Sequence, residues 1–178
     1  MALPNKPPKV TSFGKDTWWF VPAIANIAAP TVAEINAGFN LACYLLGDQE
    51  DLGSNTERVT LPMLLCETVT SESIGGTTRT MPDIGVAYDP QAAAASIGKA
   101  GYEQFRAGTT GRFLVRRQGV IAYSASPEAV AAQFVDVLRV ETGPITGGKS
   151  ATGAEGIYVG TVPVGVIDSA LNVAVVAG

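Results

Sequence analysis

The chain has 178 residues, the length of one domain, with a core large enough to need no disulfide or metal staple. Only 16% of its residues are charged, against about 25% in ordinary soluble domains, while 47% are hydrophobic, and 20 glycines and 11 prolines punctuate it; this composition excludes a disordered chain and a long helix or coiled coil. The lack of any histidine excludes Ser-His-Asp and Cys-His catalysis and imidazole-bound zinc, and a net charge of −4 argues against a general nucleic-acid binder.

Residues 1–12 read as an extended arm, because Pro4, Pro7 and Pro8 favour polyproline II geometry and forbid helix. No apolar run of the secretory type opens the chain. Residues 1–15 hold Lys6, Lys9 and Lys15 without an acid, whereas residues 16–57 hold Asp16, Glu34, Asp48, Glu50, Asp51 and Glu57 without a base. Such asymmetry is either a solvated face or a basic arm of one subunit reaching an acidic surface on its neighbour. Thr17 to Ile24, aromatic and β-branched, predicts a strand. Its adjacent Trp18 and Trp19 are expected in a core or interface, with stacking on bases or sugars as the alternative. Pro30 to Ile35 predicts one helical turn, ended by Gly38.

Phe39 to Leu46 predicts a second strand and Gly47 to Asn55 a polar, acidic loop. Within that loop Glu50-Asp51 reads as surface rather than as a catalytic carboxylate pair. Arg58 to Thr70 predicts a third strand region, bent at Pro62. Cys43 and Cys66 sit in apolar runs and are expected as reduced core thiols rather than a disulfide.

The longest predicted helix is Pro90 to Ala107. Asp89 would be its N-cap, Pro90 its first residue and Gly108 its C′ residue, with Ala94, Ile97, Gly101 and Phe105 on one face. Gly98 and Gly101 each cost about 1 kcal/mol relative to Ala there and are expected to permit close packing on a sheet. Arg112 to Arg117 predicts a strand; Arg112, Arg116 and Arg117 read as a strand face or subunit contact, with phosphate binding as the alternative. Ser126-Pro127-Glu128 predicts a helical turn through Gln133. Phe134 to Thr142, Gly156 to Val164 and Val166 to Val176 predict strands.

Two weakly charged stretches, Trp18 to Ala33 and Val159 to Gly178, are interrupted by prolines and lack the composition of a membrane helix, so a soluble chain is expected. Turn signals every ten or so residues predict a single β domain over 13–178. The expected class is mainly β (α+β), a sandwich or barrel flanked by one α-helix.

Gly143-Pro144-Ile145-Thr146-Gly147-Gly148-Lys149-Ser150 matches the P-loop pattern letter for letter, and Val164 to Asp168 looks like a Walker-B run. A P-loop must open into a helix whose N–H groups point at the phosphates. Here Gly153 and Gly156 leave room for barely two turns before strand pattern returns, so a flexible Gly-rich hairpin loop is predicted instead. No catalytic, cofactor-binding or metal-binding residue is expected, which leaves a structural or interaction protein.

The segment Lys15-Asp16-Thr17-Trp18-Trp19-Phe20-Val21-Pro22-Ala23-Ile24-Ala25-Asn26, followed by Pro30-Thr31-Val32-Ala33-Glu34-Ile35-Asn36-Ala37-Gly38, resembles the opening of major tail tube proteins of long-tailed, non-contractile bacteriophages. Chains of that family begin with a short arm and a strand ending in Ile-Ala-Asn, then a Pro-Thr-x-x-Glu-Ile-x-Ala-Gly phrase. Gly108-Thr109-Thr110-Gly111-Arg112-Phe113-Leu114-Val115-Arg116-Arg117 is similar to the strand that follows the helix in that family. Gly143 to Gly156 has no counterpart. The resemblance implies hexameric rings of this chain, stacked into a hollow tube through which DNA passes without tight binding, since each phosphate contact would retard it. It further implies tape measure and tail terminator proteins as partners, no cofactor, no membrane, and a place in the virion after synthesis in the bacterial host cytoplasm. In the family the connection corresponding to Gly47–Asn55 reaches the next ring. Gly47, Asp48, Glu50, Asp51, Gly53 and Asn55 are therefore expected in an inter-subunit contact, with Lys6, Lys9 and the Arg112–Arg117 strand as basic counterparts. The alternatives are another virion β-domain, such as a head–tail completion or capsid-decorating protein, and a monomeric ligand-binding β-module.

Overall fold

The computed structural model describes residues 14–46, 52–62, 72–120, 128–149 and 156–178. The arm 1–12, most of the acidic loop, Cys66, the segment 63–70 and Ser126-Pro127 lie outside the described residues. Within them the chain runs β1 (Thr17–Val21), α1 (Val32–Asn36), β2 (Phe39–Asn40), β3 (Gly53–Thr60), β4 (Glu72–Thr80), β5 (Ile84–Ala87), α2 (Ala100–Gln104), β6 (Thr109–Arg117), β7 (Phe134–Thr142), β8 (Thr146–Lys149), β9 (Tyr158–Val162) and β10 (Val164–Ala174). The fold is mainly β, as the sequence predicts, with two short helices in place of one long one.

All pairings between strands are antiparallel. A five-stranded sheet has the order β10-β7-β6-β1-β2, a second sheet β5-β9-β8, and β3-β4 forms a separate hairpin. Residues 44–46 extend the second sheet beyond β5 through the Leu45–Val86 bridge, the Leu46 N–H to Gly85 O bond and the Ala87 N–H to Tyr44 O bond.

The apolar run of β1 buries both of its faces, as a central strand does. Trp18 and Phe20 pack with Leu114, Leu138 and Val140 against Ile84, Val86 and Val162 of the second sheet and Phe105 beyond α2. Trp19 and Val21 pack on the opposite face with Phe113, Val115, Val135 and Val137 under Ile35 of α1 and Val175. Each fully buried large apolar side chain contributes about 1.5–3 kcal/mol, so the five-stranded sheet is the stable centre of the molecule.

Two local devices fix α1 on that centre. Thr31 and Glu34 form a reciprocal capping box, with the Glu34 side chain also accepting from the N–H of Ala25 at 2.8 Å. The C-terminal residues then thread past the helix: Val176 bonds to Pro30 and Val32, and Val175 to Ala132 and Gln133.

Several expectations need correction. Phe39 to Leu46 is not one strand: after Asn40 the chain turns, with the Asn40 side chain accepting from the Ala42 N–H at 2.9 Å and Leu41 O accepting from Tyr44 and Leu45. Pro90 to Ala107 is helical only over Ala100–Gln104. Asp89 Oδ1 accepts from the Gln91 N–H, but Asp89 N–H donates to Gly98 O at 2.8 Å and closes the chain into turns. Gly108 does terminate this region in a left-handed conformation, φ +67. Glu128 to Gln133 is a turn rather than a helix, with Ala132 at φ 66. Cys43 is exposed rather than core. Gly53 to Asn55 belongs to strand β3, not to the loop.

Candidate functional site

The β3–β4 hairpin differs from every other strand pair in having both faces exposed. Register runs from Gly53 opposite Thr80 to Thr60 opposite Glu72, with an irregularity between Thr56 and Arg58. Beyond the backbone ladder, its side-chain ties across the strands are weak ones: Thr56 Oγ1 to Thr77 Oγ1 at 3.3 Å, and Arg58 to Glu72 at 3.7 Å, an exposed pair worth about 0–1 kcal/mol. It nevertheless presents Val59, Leu61 and Ile74 to solvent, Ile74 at 77% exposure. A two-stranded hairpin alone is marginal in water. This one touches the body where Thr77, Thr78 and Arg79 face Val166 to Ser169 of β10 across a cleft of about 270 Å³.

The three arginines of β6 part ways. Arg116 lies over the Trp18 ring at 5.3 Å and meets Asp16 at 3.4 Å. Arg117 lies over Trp19 on the opposite face, 5.0 Å from its centroid, and is 1% exposed. Its guanidinium donates to Glu128 O at 2.8 Å and Gln133 Oε1 at 3.1 Å, with no carboxylate among the described residues; burial lowers its pKa. Both are held by partners within the domain. Arg112 opens onto a cleft of about 340 Å³ between β1, β2, α2 and β6. The tryptophans are core residues, so the stacking alternative falls.

The P-loop match resolves into sheet. Thr146–Lys149 pairs with β9, Gly147 opposite Gly160 and Lys149 opposite Tyr158. A β-carbon at Gly147 would stand 2.5 Å from the Tyr88 hydroxyl, so glycine there admits a tyrosine rather than a phosphate. Tyr88, stacked 4.4 Å from Tyr102 and near Tyr158, has its pKa raised by burial and by those neighbours. Lys149 Nζ lies 5.7 Å over the Tyr158 ring. Predicted as a loop, Thr146–Lys149 is a strand; Ser150 and the residues after it to 155 lie outside the described ones.

Of the expected contact residues, Lys6, Lys9, Gly47, Asp48, Glu50 and Asp51 lie outside the described residues. Gly53 and Asn55 stand at the free end of β3, where Gly53 packs against Thr80 so closely that a β-carbon would collide with it. The sequence reading missed β4, β3's partner. Its Glu72-Ser73-Ile74-Gly75-Gly76-Thr77-Thr78 has β-formers but no alternation, because neither face is buried. Among the described residues, no helix is long and apolar enough to cross a membrane.

A family model of phage tail tube proteins matches residues 3–178. Among solved structures, a chain of the cryo-EM structure of the anti-feeding prophage (AFP) baseplate, 6-fold symmetrised, superposes with a TM-score of 0.51 at 11% identity. The match covers 93% of this chain and 96% of that one; at that identity the likeness is one of fold. No match was found among curated proteins.

Proposed function

Since the chain belongs to the phage tail tube protein family, we propose that it polymerises as stacked hexameric rings into the tail tube of a non-contractile phage, through which DNA is delivered. Its role is structural rather than enzymatic. The observation that carries this reading is the β3–β4 hairpin: a long, two-sided exposed ribbon with apolar side chains on show, which needs a neighbour to cover it. The low charge density of the chain agrees, since surface shared between subunits has less need of solvation.

In this assembly the acidic segment with Gly47, Asp48, Glu50 and Asp51, together with Gly53 and Asn55 at the start of β3, lies at a subunit contact. Lys6 and Lys9 of the arm are among its basic counterparts. Tape measure and tail terminator proteins meet the tube inside and at its end. DNA passes along a net-negative protein that makes few phosphate contacts. The chain is made in the bacterial host cytoplasm and ends in the virion.

Sedimentation velocity across a concentration series tests polymerisation. Growth from a subunit to a ring and then to a broad distribution of long species supports it. A single species of one chain's mass at all concentrations excludes it.

A further inference from the structure

The cleft between the β3–β4 hairpin and β10 carries one charge of each sign on its opposite walls. Arg79 of β4 and Asp168 of β10 are the charged groups among the described residues that line it. Arg79 is the half-buried residue of β4, whose other positions are exposed, yet its side chain makes no hydrogen bond or ion pair with any described residue. Asp168 Oδ1 accepts from the Ser169 N–H at 2.8 Å, and no cation among the described residues lies within ion-pair distance of this carboxylate. A bulge sets Asp168 there. Val166 opposes Val140 and Asp168 opposes Arg139, so Ile167 is an extra residue, 55% exposed, that re-aims the side chains around it.

The hairpin is anchored at its root. Leu52, packed against the core, and buried Met81 flank the Gly53–Thr80 pair. Arg79 adjoins that root, and the exposed Ile74 lies about 17 Å further along at the rise of an extended strand. A small closure of the cleft therefore becomes a larger displacement of the exposed end. We propose that Arg79 and Asp168 form a latch: their ion pair closes the cleft, draws the hairpin onto β10 of its own chain and so withholds it from a neighbouring copy. The latch belongs to the single chain, while its effect on assembly rests on the tube reading above. An exposed pair shifts such an equilibrium by up to about fivefold and is screened by salt. Any contact that needs the hairpin open is weakened by the same factor.

The test measures hydrogen–deuterium exchange of the Glu72–Thr80 amides in the full-length protein, diluted until it sediments as one species, with thermal unfolding as the folding control. Wild type is expected to exchange about threefold more slowly at low salt than at high salt. Asp168→Asn and Arg79→Gln should show the faster rate at both salts, and the swap Arg79→Glu with Asp168→Lys should restore protection at low salt. Arg139, the cation opposite Asp168 on β7, is the competitor, and Arg139→Gln should exchange as wild type does. In light scattering at low salt, the two neutralised variants should polymerise about threefold faster than wild type. Exchange in Asp168→Asn equal to wild type, a swap without recovery, or an Arg139→Gln that reproduces Asp168→Asn overturns the latch. Faster exchange in the neutralised variants without faster polymerisation overturns the withholding. Failure of the wild type to polymerise removes the tube reading and the effect on assembly with it, while exchange still decides the latch.

Discussion

Adjacent indoles on β1 meet adjacent guanidiniums on β6, one pair on each face of the sheet, because consecutive strand residues point in opposite directions. Arg117 is the more consequential of the two cations, since it satisfies Glu128 O and Gln133 Oε1 from inside the domain. Arg117→Met keeps the apolar stem but removes those bonds, and is expected to lower stability by about 1–3 kcal/mol in denaturant titration. Gly101 presents an opposite-sign test. Helix propensity alone favours Gly101→Ala by about 1 kcal/mol, but a β-carbon there would lie 2.6 Å from Tyr44 Cδ1. Overpacking is expected to win, with a net loss of about 1–2 kcal/mol and a lower Tm. Glu34 sets a pH dependence. Hydrogen bonds from the N–H groups of Ala25 and Thr31 hold its carboxyl below its ordinary value. The folded value being the lower one, the stabilisation is complete at neutral pH and is lost as pH falls through the folded value. Glu34→Gln should flatten that acid limb of the stability–pH curve.

Elements buried on two faces were legible in the sequence and those buried on none were not. β1, β6 and β7 carry continuous or tightly alternating apolar runs because the sheet is covered on both sides, and the sequence places them within a few residues of where they lie. β4 is exposed on both faces, so hydrophobicity left no trace of it. The helix expected over Pro90 to Ala107 failed through local competition. Asp89 and Ser96 spend their side chains on turns, Asp89 Oδ1 accepting from the Gln91 N–H and Ser96 Oγ donating to Ala93 O at 2.7 Å, and helix begins only past Gly98. Arg112 was legible as one of three basic residues, but only the fold distinguishes it from the two that are buried. The hairpin supplies the prediction at this scale. Ile74→Thr removes an exposed side chain with little to lose within the domain, so stability should stay within about 0.5 kcal/mol. Assembly, read by light scattering, should be slowed or shortened; unchanged growth would take this face of the hairpin out of the subunit contact.

For the whole molecule, the proposed tube is held by contacts that are individually weak and many times repeated. Replacing Asp48, Glu50 and Asp51 by Asn, Gln and Asn should slow polymerisation at low salt, with the difference from wild type shrinking as salt screens exposed pairs. Removing residues 1–12 should impair polymerisation more than folding, because proline-rich arms in general bury little in their own domain and can order on a neighbour at assembly. Loss of the thermal transition on truncation would instead make the arm part of the core. The claim on which these outcomes depend is that this chain alone encodes a tube. Negative-stain electron microscopy of the purified full-length protein reads that directly: hollow rings and tubes of uniform diameter are predicted, whereas isolated particles of a single chain at every concentration and salt would contradict it.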